Sequence, residues 1–151
     1  MRITLESVYK RIGGEKELYE ILKVRSTEAD PNTNISHRAL PPYYAHIRFV
    51  RAKPYRAWQF VKVDGLIAGV VNLTKMNEVG IVLLPDYRGK GIGKQALQML
   101  LTGRKPLKAV AGHRAGRFVA NINPLNTRSI RLFQGLGFVH IQNTYQLSHH
   151  P

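Results

Sequence analysis

Two apolar-rich runs, Ala57 to Val63 and Leu66 to Thr74, are separated only by Asp64-Gly65. A two-residue loop of that chemistry takes the positive φ angles of a tight turn whose twist matches paired strands. The chain therefore has to build an antiparallel hairpin here, and the rest must pack on the sheet that the hairpin starts. Before it, Arg2 to Val8 reads as a strand, and Gly13-Gly14 breaks the chain. Glu15 to Arg25 reads as a helix with Leu18, Ile21, Leu22 and Arg25 at helical spacing. Ser26 to Arg38, rich in Thr, Asn, Asp and Pro, is a loop. Pro42 suits a first helical turn, and Tyr43 to Arg51 forms a second helix ended by Pro54.

After the hairpin, Glu78 to Leu84 is a strand stopped by Pro85, and a glycine-rich segment leads into a helix running to about Leu101, with Ile92, Ala96, Met99 and Leu100 on one face. Residues 103–116 form a basic connection without a readable pattern. Arg117 to Ile122 is a strand, Asn126 to Leu136 a helix, and Phe138 to Leu147 a final strand. Asn126 is a favourable N-cap, Leu125 and Ile130 occupy staple positions, and Gly137 suits the left-handed position after a helix. A meander of strands followed by βαβ and αβ pieces implies an α/β chain of the α+β kind. It has one mixed sheet, helices on both faces and a single domain over residues 1–151.

Charge narrows the partners. The net charge is +14, and all nine acids lie at or before Asp86. Residues 1–86 carry 13 basic and 9 acidic side chains, whereas residues 87–151 carry ten basic ones and no acid. An acid-free half creates a positive field suited to phosphate-bearing ligands, although solubility alone accounts for raw charge equally well. There is no cysteine, which removes disulfides, thiolate metal sites and cysteine nucleophiles and fits a reducing compartment. The N-terminal residues lack a signal-peptide pattern and no apolar run reaches membrane-spanning length, so a cytoplasmic protein with no membrane partner is expected.

The segment Leu83 to Leu97 joins a strand to a helix through Arg88-Gly89-Lys90-Gly91-Ile92-Gly93. Glycines let a ligand approach the backbone, and a helix start presents free N–H groups at the positive end of its dipole. With Arg88, Lys90 and Lys94 nearby, the segment reads as a pyrophosphate cradle; a plain tight turn is the simpler alternative. A nucleotide P-loop does not fit, because only three residues separate Gly89 from Gly93 and Gln95 stands where a magnesium-binding hydroxyl is needed. A dinucleotide fold does not fit either: the spacing is G-x-G-x-G and nothing acidic follows Asp86.

What remains is R-x-x-G-x-G at Arg88, Gly91 and Gly93, preceded by Pro85 and Tyr87. This resembles the acyl-CoA loop of the GCN5-related N-acetyltransferase (GNAT) family. A second stretch, Asn126, Ser129, Phe133, Gly137 and Phe138, resembles that family's later motif, in the expected order. The resemblance implies a mostly antiparallel sheet of about six to seven strands. It implies acetyl-CoA as cosubstrate and direct transfer of the acetyl group to an amine. It also implies that the main chain of Leu83 and Leu84 bonds the pantetheine arm. Arg88, Gly89, Lys90, Gly91, Ile92 and Gly93, with Lys94, then bind the pyrophosphate, and Asn126 and Ser129 lie beside the arm. The last two serve equally well as helix-capping residues.

Acetyl transfer needs a neutral amine and a protonated leaving thiolate. Glu78, on the strand entering the loop, is the candidate base; a strand-end carboxylate paired with a nearby cation is its plain alternative. The family's usual acid is a tyrosine where this chain has Phe133, so Tyr145, or Tyr87 on the loop scaffold, or water stands in for it. His37, His46, His113, His140 and His149-His150 show no metal-ligand spacing, so no metal is expected. His37 falls in a loop of the kind that walls the acceptor site in the family. Trp58 and Phe60 read as core or as acceptor-pocket wall.

An active enzyme leads. A silent acyl-CoA-binding module comes second, favoured by Phe133, and a nucleic-acid- or ribosome-associated protein third, because the basic residues are scattered rather than clustered with aromatics. The positive field slightly favours an anionic or nucleotide-linked amine over a polycation, with peptide N-termini and ribosomal proteins also open. A homodimer is compatible with the sequence, which does not fix the oligomeric state.

Overall fold

A computed structural model describes residues 1–28 and 40–148. Strand β1 (Ile3–Ser7) leads to helices α1 (Gly14–Ser26) and α2 (Tyr43–Arg51). Strands β2 (Ala57–Val63), β3 (Leu66–Leu73) and β4 (Val79–Leu83) follow, then a 3₁₀ turn at Pro85–Tyr87, α3 (Ile92–Leu101) and α4 (Thr127–Gly135). The hairpin forms as its sequence requires. Asp64 and Gly65 have φ of 49° and 85°, the pair of positive angles that a type I′ turn needs. Arg2 N donates to Asp64 Oδ1 at 2.8 Å, tying the start of β1 to the same turn.

The sheet runs β1-β2-β3-β4, every pair antiparallel. Its two faces bury different cores. Trp58, Phe60 and Val70 meet Leu18 and Ile21 of α1 and Val50 of α2. Ala57, Val61, Val63, Val71 and Leu73 meet Ile92, Ala96, Leu97 and Leu100 of α3 and Phe133 of α4. A bulge keeps both faces filled: Val61 pairs with Gly69 but Lys62 pairs with Ile67, leaving Ala68 as the extra residue. Side-chain parity on β3 switches there, so Ala68, Val71 and Leu73 reach the α3 face while Ile67 and Val70 reach the other.

The described residues contain four strands, fewer than the six to seven expected. Arg117 to Ile122 makes a single parallel bridge, Glu78 with Val119, and then leaves the sheet. Its partly buried Phe118, Ala120 and Ile122 still pack on the α3 core, so its apolar alternation serves packing without a ladder. Phe138 to Leu147 is likewise not a strand. Val139, Tyr145 and Leu147 are 77%, 88% and 74% exposed, and alternation without a neighbouring edge does not make a sheet. The helix before it ends as its sequence indicates: Asn126 Oδ1 accepts from Ser129 N at 3.1 Å. At the other end Gly137 N and Phe138 N donate to Gln134 O and Phe133 O, both at 3.0 Å, a Schellman closure.

The basic connection 103–116 is organised by one buried side chain. Asn77 is fully buried; its Nδ2 donates to Leu107 O at 2.9 Å and Ala115 O at 2.8 Å, and its Oδ1 accepts from Leu107 N at 2.7 Å. Its own carbonyl accepts from Val119 N at 2.9 Å, and Val79 N donates to Val119 O at 2.8 Å. Asn77→Asp keeps the shape but turns a donor serving two carbonyls into an acceptor, a loss of about 3 kcal/mol or more. The expected result in urea denaturation is a lower midpoint, with amide exchange accelerated first at Leu107 and Val119; unchanged protection at both amides would refute this role for Asn77.

Candidate active site

A cleft of about 820 Å³ opens along the free edge of β4. It exists because the backbone after Val119 pairs with β4 only at its first residue and then diverges. One wall is β4 itself; Asn121, Ile122, Asn123 and α4 form the other, and the start of α3 closes the end near Leu83. In an antiparallel ladder, alternate residues turn their backbone groups to the neighbour or away from it. Thr74 N bonds Glu78 O and Leu84 N bonds Ala68 O, each at 2.9 Å, so the even-numbered residues face β3. Val79, Ile81 and Leu83 therefore turn their polar backbone outward, and beyond Val79 that edge looks into the cleft.

At the α3 end, Gly89 and Gly91 have φ of 73° and 77°, angles that cost an ordinary residue roughly 1–2 kcal/mol. Gly91 is the N-cap of α3 and supplies no side-chain hydrogen bond, which leaves the first-turn N–H groups of Ile92, Gly93 and Lys94 for another acceptor. Arg88, Gly89, Gly91, Ile92, Gly93 and Lys94 all line the cleft, whereas Lys90 is exposed outside its lining.

The Arg88 side chain is committed to partners within the fold. Its Nε donates to Leu83 O at 3.0 Å, and its terminal nitrogens grip Glu28 at 3.0 and 2.5 Å. The pair is largely buried, and it straps the glycine loop to the residue just beyond α1. Burial pulls the neighbouring Arg25 guanidinium below its ordinary pKa, with Glu28 opposing that shift and Arg88 adding to it. Leu84 has both main-chain groups bonded within the fold, N–H to Ala68 O and C=O to Tyr87 N, while Leu83 keeps its N–H on the open edge. On the facing wall Asn126 and Ser129 line the cleft, Asn126 Oδ1 being engaged in capping. Phe133 is 4% exposed and stacks edge-on against Phe138 at 5.1 Å, with no polar group to offer.

Glu78 stands at the end of the cleft where the walls converge. Its Oε2 accepts from Asn121 Nδ2 at 2.5 Å and its Oε1 from Thr74 Oγ1 at 3.3 Å. The Thr74 hydroxyl in turn accepts from the Met76 and Glu78 amides, both at 3.1 Å. The carboxylate is thus held in place with lone pairs to spare. Tyr55 and Asn72 line the same end. Burial is the main reason the Tyr55 phenol is pushed above its ordinary pKa, the charges of Tyr9 and Glu78 adding to it. Tyr145, 88% exposed, lies outside the lining.

Local pattern carried no mark of Tyr55, Asn72, Asn121 or Glu28, because the first three reach the cleft, and Glu28 reaches Arg88, only through tertiary contact. Gly80 was the one available signal, a glycine inside a strand. Asn72 and Gly80 are register partners, and a Cβ on Gly80 would stand 2.5 Å from Asn72 Oδ1. His46, on α2, is buried against α1, its Nε2 at 2.8 Å from Glu15 O. His37, His149 and His150 lie outside the described residues. Among the described residues no group of three or more His, Asp or Glu side chains could hold a metal, and no helix is long and apolar enough to cross a membrane.

The Asn72–Gly80 contact is open to test. Gly80→Ala is expected to displace the Asn72 amide and lower the melting temperature by several degrees, the effect of about 1–2 kcal/mol in a domain of this size. Adding Asn72→Gly should return most of that loss in a thermal melt. Equal melting of the single variant and the parent would show that the contact is slack.

Comparison with known proteins bears on the whole arrangement. A domain from Methanocaldococcus jannaschii superposes with a TM-score of 0.70 at 20% identity, covering 95% of this chain and 92% of that one. An N-acetyltransferase from Staphylococcus aureus superposes at 0.65 with 21% identity over 94% and 86%. A GNAT-superfamily phosphinothricin acetyltransferase from Sinorhizobium meliloti, solved with acetyl-CoA, gives 0.64 with 21% identity over 91% and 75%. No curated protein matches the sequence. At these identities the structures establish the fold, while the sequence profile of the Acetyltransferase (GNAT) family matches residues 16–138. The chain belongs to the GNAT acetyltransferase family.

Proposed function

We propose that residues 1–151 act as one acetyl-CoA-dependent N-acetyltransferase domain working in the cytoplasm, transferring the acetyl group directly to a primary amine. The observation that carries this reading is the cleft between β4 and the diverging chain, with a glycine-capped helix start at one end and a held carboxylate at the other. The donor fits the residues present. The amides of Ile92, Gly93 and Lys94 suit a pyrophosphate, and Lys94, Arg128 and Arg131 line the same region with no ion pair among the described residues. The open backbone groups of Ile81 and the N–H of Leu83, whose carbonyl already accepts from Arg88, suit the amides of the pantetheine arm, with Asn126 and Ser129 opposite. Arg88 serves by holding the loop through Glu28 rather than by touching phosphate.

In this reading Glu78 takes a proton from the acceptor ammonium, directly or through one water, and releases a nucleophilic amine. Asn121 and Thr74 fix the carboxylate for that task. Lys75 lines the cleft at the end where Glu78 stands, which supports an amine that also carries negative charge. Tyr145 takes no part. A second reading, an acyl-CoA binder without turnover, is favoured by the absence of a hydroxyl at Phe133.

Calorimetry with acetyl-CoA separates these cases from an unrelated role. Micromolar binding is expected, weakened at least a hundredfold by Gly91→Asp, which combines backbone strain with a carboxylate in the anion site; undiminished binding by that variant would remove the loop from the cofactor site. Glu28→Gln should weaken binding about tenfold by loosening the Arg88 strap. A thiol-release assay across small amines, amino acids and peptides then tests turnover. Glu78→Gln is expected to lower kcat at least a hundredfold while leaving the acetyl-CoA affinity unchanged, whereas binding without turnover of any amine favours the silent module.

A further inference from the structure

Resting on the acetyl-transfer reading above, we propose that Tyr55 is a catalytic residue that donates its phenolic proton to the CoA thiolate as the carbon–sulfur bond breaks. Of the seven tyrosines in the chain, Tyr55 is the one that lines the cleft. Its position follows from register. Ala57, Leu73 and Val79 lie in one row across β2, β3 and β4, so the residues just before Ala57 reach the end of the sheet where Glu78 stands. An acyl arm anchored by its pyrophosphate near Gly91 and laid along β4 crosses about 13 Å of strand and ends there.

The residue is also built to hold still. Tyr55 N donates to Tyr9 Oη at 3.1 Å, and Tyr9 Oη donates back to Tyr55 O at 3.3 Å. Its ring packs against Trp58 at 4.5 Å between centroids and edge-on against Phe49 at 5.8 Å. The hydroxyl itself makes no hydrogen bond among the described residues, so a fixed aromatic ring offers an uncommitted donor in the cleft that the Glu78 carboxylate also lines. Burial and that carboxylate both keep the phenol protonated at neutral pH.

The step balances. The acceptor ammonium gives one proton to Glu78, and the amine forms the new nitrogen–carbon bond. The carbon–sulfur bond breaks with its electron pair on sulfur, which takes the proton of Tyr55. The second proton lost by nitrogen returns through water to the phenolate. The products are the amide, CoA thiol and a protonated Glu78 that discharges to solvent.

No acceptor is needed for the test, and the absence of cysteine makes the CoA thiol the only thiol in the sample. The pH dependence of alkylation of bound CoA by iodoacetamide, with protein in excess, reads the thiol pKa. A donor that favours the thiolate holds that pKa down, and Tyr55→Phe is expected to raise it by about one unit, a tenfold change in thiolate at fixed pH. The melting temperature should stay as in the parent, because the lost hydroxyl bonds to no described residue, and CoA affinity measured well below the thiol pKa should change little, because the bound sulfur is neutral there in both proteins. Tyr44→Phe, on the exposed side of α2, is expected to leave the thiol pKa unchanged. An identical thiol pKa in parent and Tyr55→Phe would overturn the proposal with the acetyl-transfer reading intact. Failure of the parent to bind CoA would overturn that reading, and this proposal with it.

Discussion

Two backbone hydrogen bonds at the head of β4, Val79 N to Val119 O and Val119 N to Asn77 O, decide where the molecule is open. They bring the second half of the chain alongside the first and then let it go, so that β4 keeps an unpaired edge over its remaining length. A continuous ladder would have satisfied Ile81 and Leu83 and closed the cleft. Buried polar groups are normally paired, and an edge left open beside a helix start is a place made for a ligand's amides and phosphates. Asn77 holds that junction, because its buried amide fastens the connection that carries Val119 into place.

The two ends of the cleft are supported differently. At the end where α3 begins, the loop is strapped to Glu28 through Arg88, so the arginine charge is spent on a carboxylate while the first turn of α3 carries no side-chain cap. At the other end Glu78 is gripped by Thr74 and Asn121, one from each wall, and Tyr55, held by the rings of Trp58 and Phe49, lines the same end. Each end therefore depends on both halves of the chain. The acid-free half supplies the cations and the capped helix; the first half supplies the carboxylates that position them.

Much of this was legible beforehand because it is local. Asp64-Gly65 dictates its turn by φ alone, and Asn126 and Gly137 mark the ends of α4 by capping geometry. Gly89 and Gly91 announce a backbone that only glycine accepts easily. What escaped was set by partners distant in sequence. The alternation at 117–122 and 138–147 looks like strand, yet a strand exists only with a neighbour, and pattern does not say whether one is there. The roles of Arg88 and Leu84 turned on which of their groups were already bonded. Tyr55 and Asn72 became visible only once register placed them beside Glu78.

The tail after α4 has a consequence for how the protein behaves in solution. From Leu132 to Ser148 there is no acid and no lysine or arginine, and Val139, Ile141, Tyr145 and Leu147 face outward. Such an exposed apolar segment invites association with another chain. Every copy also carries a charge of +14, and like charge slows the encounter of two such segments. Solubility of the tail is therefore lent by the rest of the molecule, and it weakens as salt shortens the reach of that repulsion.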